Sequence, residues 1–269
     1  MSWWGKLAGG AFGYVLGGPL GALLGAVLGH NLDRGLAGLE VEEESLEPGE
    51  QERVQTAFFT ATFSIMGHLA KVDGSVSRTE IDVAEAVMAK MDLDAEMRRT
   101  AIRLFNQGKQ TDFPLNEVLE QFRLECHRRS ILTQMFIEIL LQAAYADGAM
   151  NPAEERLLLH ICRQMGISEF LFRQLERMIQ AERHFSGRTG RRAEAVSPGP
   201  ALKDAYAILN IPPSASDAEV KRAYRRQTNL HHPDKLVAKG LPEEMMKIAA
   251  EKTHEIRQAY EQIKTVRGF

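Results

Sequence analysis

No charged side chain occurs between Leu7 and Gly29. Wound as a helix, this 23-residue run reaches roughly 34 Å, enough to cross about 30 Å of hydrocarbon. Glycine recurs at every fourth position, at Gly5, Gly9, Gly13, Gly17, Gly21, Gly25 and Gly29. Residues four apart share nearly one helical face, so the pattern makes a groove without side chains, a surface through which helices associate in lipid. In water so much glycine, together with Pro19, does not sustain a helix. Membrane neighbours tolerate both residues better. Trp3 and Trp4 flank the run where indole rings favour the interface. A cleaved signal peptide fits poorly, because Lys6 is the only basic residue ahead of the run and the run itself is long. The expectation is a short segment over 1–6 and a single transmembrane helix over 7–30 that pairs two chains through Gly9, Gly13, Gly17, Gly21 and Gly25. The alternative use of that face is packing against another membrane protein. Lys6 on one side balances Arg34 on the other, so charge does not set the orientation.

Two breaks in pattern divide the rest. EVEEESLEPGEQE, from Glu40 to Glu52, is an acidic run that anionic lipid repels, and it reads as the end of a linker over 31–52. HFSGRTGRRAEAVSPGP, from His184, reads as a flexible tether over 184–200. Between them, residues 53–183 keep helical periodicity, in Phe58–Leu69, Ile81–Met91, Met97–Phe105, Leu115–Phe122, Ile131–Ala144, Leu157–Met165 and Phe170–Ile179. Ser77 and Asn151-Pro152 stand where helix caps belong. An all-α bundle of about seven helices is expected.

The bundle contains an internal echo. LAKVDGSVSRTEIDVAEAV, starting at Leu69, resembles AAYADGAMNPAEERLLLHI, starting at Ala143. Asp73 corresponds to Asp147 and Glu80 to Glu154. This duplicated pattern resembles the TerB-like family of small helical bundles. Four carboxylates at equivalent turns form a weak candidate set for a divalent metal. Local structure accounts for them better, since Asp-Gly stops a helix and an acidic residue suits the next N-terminus. Cys126 and Cys162 are far apart and lie in apolar helical patterns, so they read as buried thiols in a reducing compartment. No nucleophile set, phosphate loop or HExxH motif is present. The expectation is therefore no catalytic residue and no cofactor. A net charge of −3 gives no general reason to expect nucleic acid as a partner.

The last segment, 201–269, divides into three helical stretches. Asp204–Leu209 is short. Ser216, with Glu219 three residues on, opens the second in a capping-box arrangement. The third starts near Pro242 and carries Ile256, Ala259, Tyr260 and Ile263 at core spacing. On the second helix Val220, Ala223 and Tyr224 face inward, while Lys221, Arg222, Arg225 and Arg226 form an outward basic strip. Pro233 disfavours helical geometry at His232 and ends the helix. An imidazole and a carboxylate, His232 and Asp234, are thus displayed beside a cationic ridge suited to an acidic partner.

DAYAIL, KRAYRR, HPDK and the final helix bearing QAYE closely resemble the J-domain, over essentially all of 204–265. Combined with the membrane span, the TerB-like middle and the insertion LVAKGLPEEMM after HPDK, the whole chain resembles the DjlA co-chaperone family. The fold class expected is all-α, with one N-terminal transmembrane helix, a TerB-like bundle and a C-terminal J-domain.

The resemblance implies a regulatory co-chaperone in which His232, Pro233 and Asp234 stimulate ATP hydrolysis by DnaK, and Lys221, Arg222, Arg225 and Arg226 bind its negatively charged face. It further implies a bacterial inner-membrane homodimer with the N-terminus periplasmic and the C-terminal domains cytoplasmic, and a link to the Rcs phosphorelay and colanic acid capsule synthesis. The rival reading is a metal-binding membrane adaptor acting through the TerB-like domain. One residue departs from the J-domain pattern. Gln227 stands where these domains usually place Leu in the helix core, and Leu230 is the neighbour available to fill that space.

Overall fold

The computed structural model describes residues 17–32, 49–72, 74, 85, 88–89, 91, 93–127, 129–145, 148–189 and 198–269. Among these residues every regular element is a helix. In chain order they are α1 (Gly18–Leu32), α2 (Glu50–Lys71), α3 (Ala95–Gly108), α4 (Leu115–Glu125), α5 (Ser130–Ala144) and α6 (Pro152–Gln164). There follow α7 (Glu169–Thr189), α8 (Pro198–Ile208), α9 (Asp217–Leu230), α10 (Pro233–Ala238), a 3-10 turn (Glu243–Met245) and α11 (Met246–Arg267). The helix expected over Ile81–Met91, and the cap at Ser77, lie largely or wholly outside the described residues.

Helix α2 is the axis of the middle domain. Every residue from Val54 to Gly67 is buried, as befits a helix enclosed on all sides. Phe58 meets Phe122 of α4 and Phe136 of α5 edge-on, at centroid distances of 5.9 and 6.4 Å. The α2–α3 crossing is backbone-tight because glycine occupies both sides of it. A Cβ at Gly67 would lie 1.9 Å from the Phe105 carbonyl oxygen, and one at Gly108 would lie 1.7 Å from that of Ser64. Two of the buried hydroxyls on α2 are turned onto its own backbone: Thr56 donates to the Glu52 carbonyl and Ser64 to that of Thr60. Helix starts follow the cap residues. Asp94 accepts from the Glu96 and Met97 amides, and Asn151 with Glu154 closes a capping box behind Pro152.

Helix α1 lies in a groove between α3 and α4 and also touches α2. Its backbone starts at two left-handed glycines, Gly17 (φ 56°) and Gly18 (φ 58°), with Pro19 in the first helical turn. Leu20, Leu23, Leu24 and Val27 are buried in the groove, each contributing about 1.5–3 kcal/mol. Of the glycine row, Gly21 is buried and Gly25 half-buried, while Gly9 and Gly13 lie outside the described residues. No helix among the described residues is long and apolar enough to cross a membrane.

Both ends of the region read as a flexible tether are helical. Helix α7 continues to Thr189 and α8 begins at Pro198, leaving only 190–197 outside the described residues. Met178, Ala181 and Phe185 continue one buried apolar face past His184, where the tether is expected to begin. Ala181 and Phe185 are buried with Ala205, Tyr206, Ile208 and Leu209 in the core of the C-terminal domain.

That second core is completed by Val220 and Ala223 of α9 and by Ile256, Ala259 and Ile263 of α11. Tyr224 and Tyr260 stack at 4.3 Å between α9 and α11. Arg267 ties the end of α11 to the α8–α9 connection, donating to the Tyr206 hydroxyl, the Ala215 and Pro213 carbonyls and Asp217.

The insertion at 236–246 belongs to the other core. Leu236, Leu241 and Met245, followed by Ile248 and Ala249, are buried in one cluster with the residues of α2 and α5. Gly240 (φ 100°) is pressed so close that an added Cβ would meet Val54 Cγ1 at 2.7 Å. Each domain therefore lends side chains to the core of its neighbour.

Because the α2–α3 crossing leaves no room for a side chain, Gly67→Ala is expected to destabilise the chain by about 1–3 kcal/mol despite its better helix propensity. Urea unfolding of the two proteins measures it, and an unchanged or raised midpoint contradicts the crossing geometry.

Candidate functional site

The Ser216 hydroxyl and Glu219 carboxylate close the expected capping box at the start of α9. The helix ends at Leu230, with His231 as its C-terminal residue. His232 is extended (φ −64°, ψ 123°), and Pro233 both ends α9 and occupies the first turn of α10. The sequence reading assigned Pro233 only the first of these roles. A proline lacks the amide that a first helical turn leaves unpaired, so the same residue suits both. The Asp234 side chain is 84% exposed and that of His232 44%, with His232 Nδ1 4.0 Å from Asp234 Oδ2.

Lys221, Arg222, Arg225 and Arg226 are all exposed on α9. Lys221 Nζ lies 4.8 Å from the centre of the Phe269 ring. Lys235 bonds the side chain of Asn229 and so holds the turn against the end of α9. A cleft of about 380 Å³ joins strip and turn, lined by Arg226, Asn229, Leu230, Lys235, Ala238 and Lys239. Ile131 of α5 also lines it. The basic strip and Asp234 thus face solvent, His232 and Pro233 are half-buried between them, and the middle domain supplies one wall beside them.

Behind this surface is a set of buried charged groups that the sequence reading missed. Lys252 of α11 lies with its Nζ 3.3 Å from Glu138 of α5 and 2.6 Å from Glu182 of α7. His231 Nε2 is 3.2 Å from both Glu138 carboxylate oxygens, and its Nδ1 is 3.0 Å from the Gln227 carbonyl. Gln134 donates to Glu138 and the Thr253 hydroxyl to the His231 carbonyl. Burial by itself pushes the Glu138 carboxyl upward, but the Lys252 ammonium and then His231 override it and leave the group well below the usual carboxylate range. At Glu182 burial wins, with repulsion from Glu255 added, and the carboxyl is raised to about 7 despite its contact with Lys252. Burial works against the Lys252 ammonium, and the two carboxylates still hold its pKa above the ordinary value.

A signal for these groups was present. Glu138 interrupts the apolar run MFIEILL, and Lys252 falls midway between Ile248 and Ile256 on the core face of its helix. A lone charge at a core position needs a buried partner.

Gln227 is buried, and its side-chain Oε1 has no hydrogen-bond partner. Of the four carboxylates weighed as metal ligands, Asp73, Glu80 and Asp147 lie outside the described residues. Glu154 accepts from the Asn151 amide as half of the capping box. Gly74 and Gly148 have left-handed φ angles of 95° and 121°, the conformation by which Asp-Gly stops a helix. Cys126 and Cys162 are buried, and burial raises both thiols to about 12.

Comparison with known proteins agrees with this anatomy segment by segment. Residues 204–266 match the DnaJ domain, residues 59–177 match the tellurite resistance protein TerB, and residues 1–39 match the co-chaperone DjlA transmembrane domain. Fold and site together define a J-domain co-chaperone that carries a transmembrane domain. Among curated proteins, the co-chaperone protein DjlA of Coxiella burnetii is 42% identical over 100% of both chains, and that of Photobacterium profundum is 42% identical over 99% of both. The co-chaperone protein DjlA of Escherichia coli K12 is 40% identical, again over 100% of both chains. The chain belongs to the DjlA co-chaperone family. No solved structure matches it.

Two outcomes follow from the buried groups. Gln227→Leu removes an unpaired buried carbonyl and is expected to stabilise the chain by about 1–3 kcal/mol in denaturant unfolding; destabilisation contradicts the assignment. Glu182 has a folded pKa of about 7 against an ordinary 4.5, so the folded state binds its proton more tightly. The stability this supplies is complete below pH 4.5 and is lost as pH rises through 7. Glu182→Gln is expected to flatten that part of the profile, as read by the urea midpoint at pH 5 and pH 8.

Proposed function

We propose that the chain stimulates ATP hydrolysis by a DnaK-type chaperone through His232, Pro233 and Asp234, with Lys221, Arg222, Arg225 and Arg226 contacting an acidic face of that chaperone. The observation that carries this is the placement of an exposed Asp234, beside a half-buried His232 and Pro233, next to the exposed strip on α9. The chain performs no chemistry itself; it acts by favouring the partner state in which hydrolysis proceeds, which requires a difference in affinity between partner states. Cationic groups spaced along one helix also accelerate encounter with an acidic surface.

In the bacterial inner membrane, where the family's transmembrane domain belongs, the C-terminal domains face the cytoplasm because DnaK-type chaperones are cytosolic. The short N-terminus then lies on the periplasmic side. Pairing of two chains through Gly9, Gly13, Gly17, Gly21 and Gly25 presents two J-domains side by side and raises their local concentration. By family resemblance the output reaches the Rcs phosphorelay and colanic acid capsule synthesis.

The test is single-turnover ATP hydrolysis by purified DnaK with the full chain in lipid nanodiscs. Wild type is expected to raise the rate at least tenfold and His232→Gln to leave it at the basal value. Equal rates for the two proteins reject the proposal.

A further inference from the structure

The apolar run has two homes that exclude each other. Residues 1–39 match a transmembrane domain, yet the second half of the run is seated as α1 on the middle domain. The seat is built for a helix. Gln121 of α4 accepts from the Leu20 amide at 2.8 Å and donates to the Gly17 carbonyl at 2.9 Å. The Leu20 amide is one that a helix N-terminus leaves without an internal partner, while the Gly17 carbonyl takes the Gln121 amide in addition to its intrahelical bond from the Gly21 amide at 3.1 Å. Further along, Arg103 of α3 donates to the Val27 carbonyl at 2.9 Å. Both side chains grip backbone, so they do not discriminate by sequence.

Discrimination comes from shape. Leu20, Leu23, Leu24 and Val27 fill the groove at i, i+3, i+4 and i+7 spacing. Gly18 has a left-handed φ of 58°, and a Cβ there would lie 2.8 Å from Gln121 Oε1, which the Leu20 amide holds in place, so glycine is favoured where the helix enters.

When the run lies in the bilayer its leucines face lipid or a partner anchor, and the groove between α3 and α4 stands open to water. A second copy does not fill it, because that chain's run is in the bilayer as well. We propose that in the membrane-anchored protein this groove receives an apolar, membrane-type helix from another chain, with aliphatic residues at that spacing and a glycine at its entry. Resting on the co-chaperone reading above, this assigns the middle domain the part of client receptor. The clients are hydrophobic helices outside the bilayer, and the J-domain packed against the same bundle summons the chaperone to them.

The experiment uses the full chain in nanodiscs and a fluorescein-labelled peptide with the sequence of residues 18–32 and a solubilising lysine tail. Saturable anisotropy change is expected, together with slowed hydrogen exchange in α3 and α4. The pair Gln121→Ala with Arg103→Ala is expected to weaken binding at least tenfold, as is replacing the four aliphatic residues of the peptide by Ser. Absence of saturable binding, absence of protection in the wild-type chain, or equal affinity for the doubly substituted chain overturns the proposal. His232→Gln separates the two readings. It is expected to abolish ATPase stimulation and leave peptide binding unchanged, whereas the groove variant keeps stimulation and loses the peptide.

Discussion

Lys252 is the hinge pin of the molecule. Its ammonium is withdrawn from water between a carboxylate of α5 and one of α7, and it reaches both from a helix of the J-domain. Taking such charges out of water costs several kcal/mol per ion, recovered only where geometry and further hydrogen bonds are good. A well-packed apolar trio in the same place supplies comparable stability. What the charges add is register, since an ammonium displaced by one helical turn is left without partners. Two carboxylates face one ammonium, and the raised Glu182 carboxyl relieves that excess by holding its proton to about pH 7.

Register matters because the two domains share their cores. The insertion at 236–246 places Leu236, Leu241 and Met245 beside residues of α2 and α5, and Phe185 of the middle domain is buried in the J-domain. Together with the buried charges, these contacts occupy the inward side of α9 and α11. The basic strip and the His232–Asp234 turn point away from them. The J-domain is therefore a fixed projection of the bundle rather than a head on a string. Its orientation is set by the same residues that stabilise it.

Much of this was legible in sequence. The Ser216–Glu219 cap, the Asn151–Glu154 cap, the basic strip and the proline-ended helix are local patterns, and each is fixed by residues within one or two turns. The helix over 184–189, inside the stretch that reads as a tether, has a physical cause. Ser186 and Gly187 weaken helix propensity, by up to about 1 kcal/mol for the glycine, but the burial of Phe185 with residues of α8 outweighs it. The charge cluster was missed because it is nonlocal. Glu138 and His231 are separated by 93 positions, and nothing in the neighbourhood of either names the other. The insertion was visible as a family trait, while its use as a docking element depends on a groove assembled from α2 and α5.

Fixed docking also bears on how a partner is read. Undocking the J-domain would expose Leu236, Leu241 and Met245 and strand Lys252 away from its carboxylates, so these contacts favour the docked form. A chaperone binding only the outward face has equal affinity for docked and undocked forms and shifts nothing between them. One that also enters the cleft walled by Ile131 contacts both domains and favours the docked form. Since coupling is reciprocal, whatever tightens the bundle then tightens the chaperone's hold.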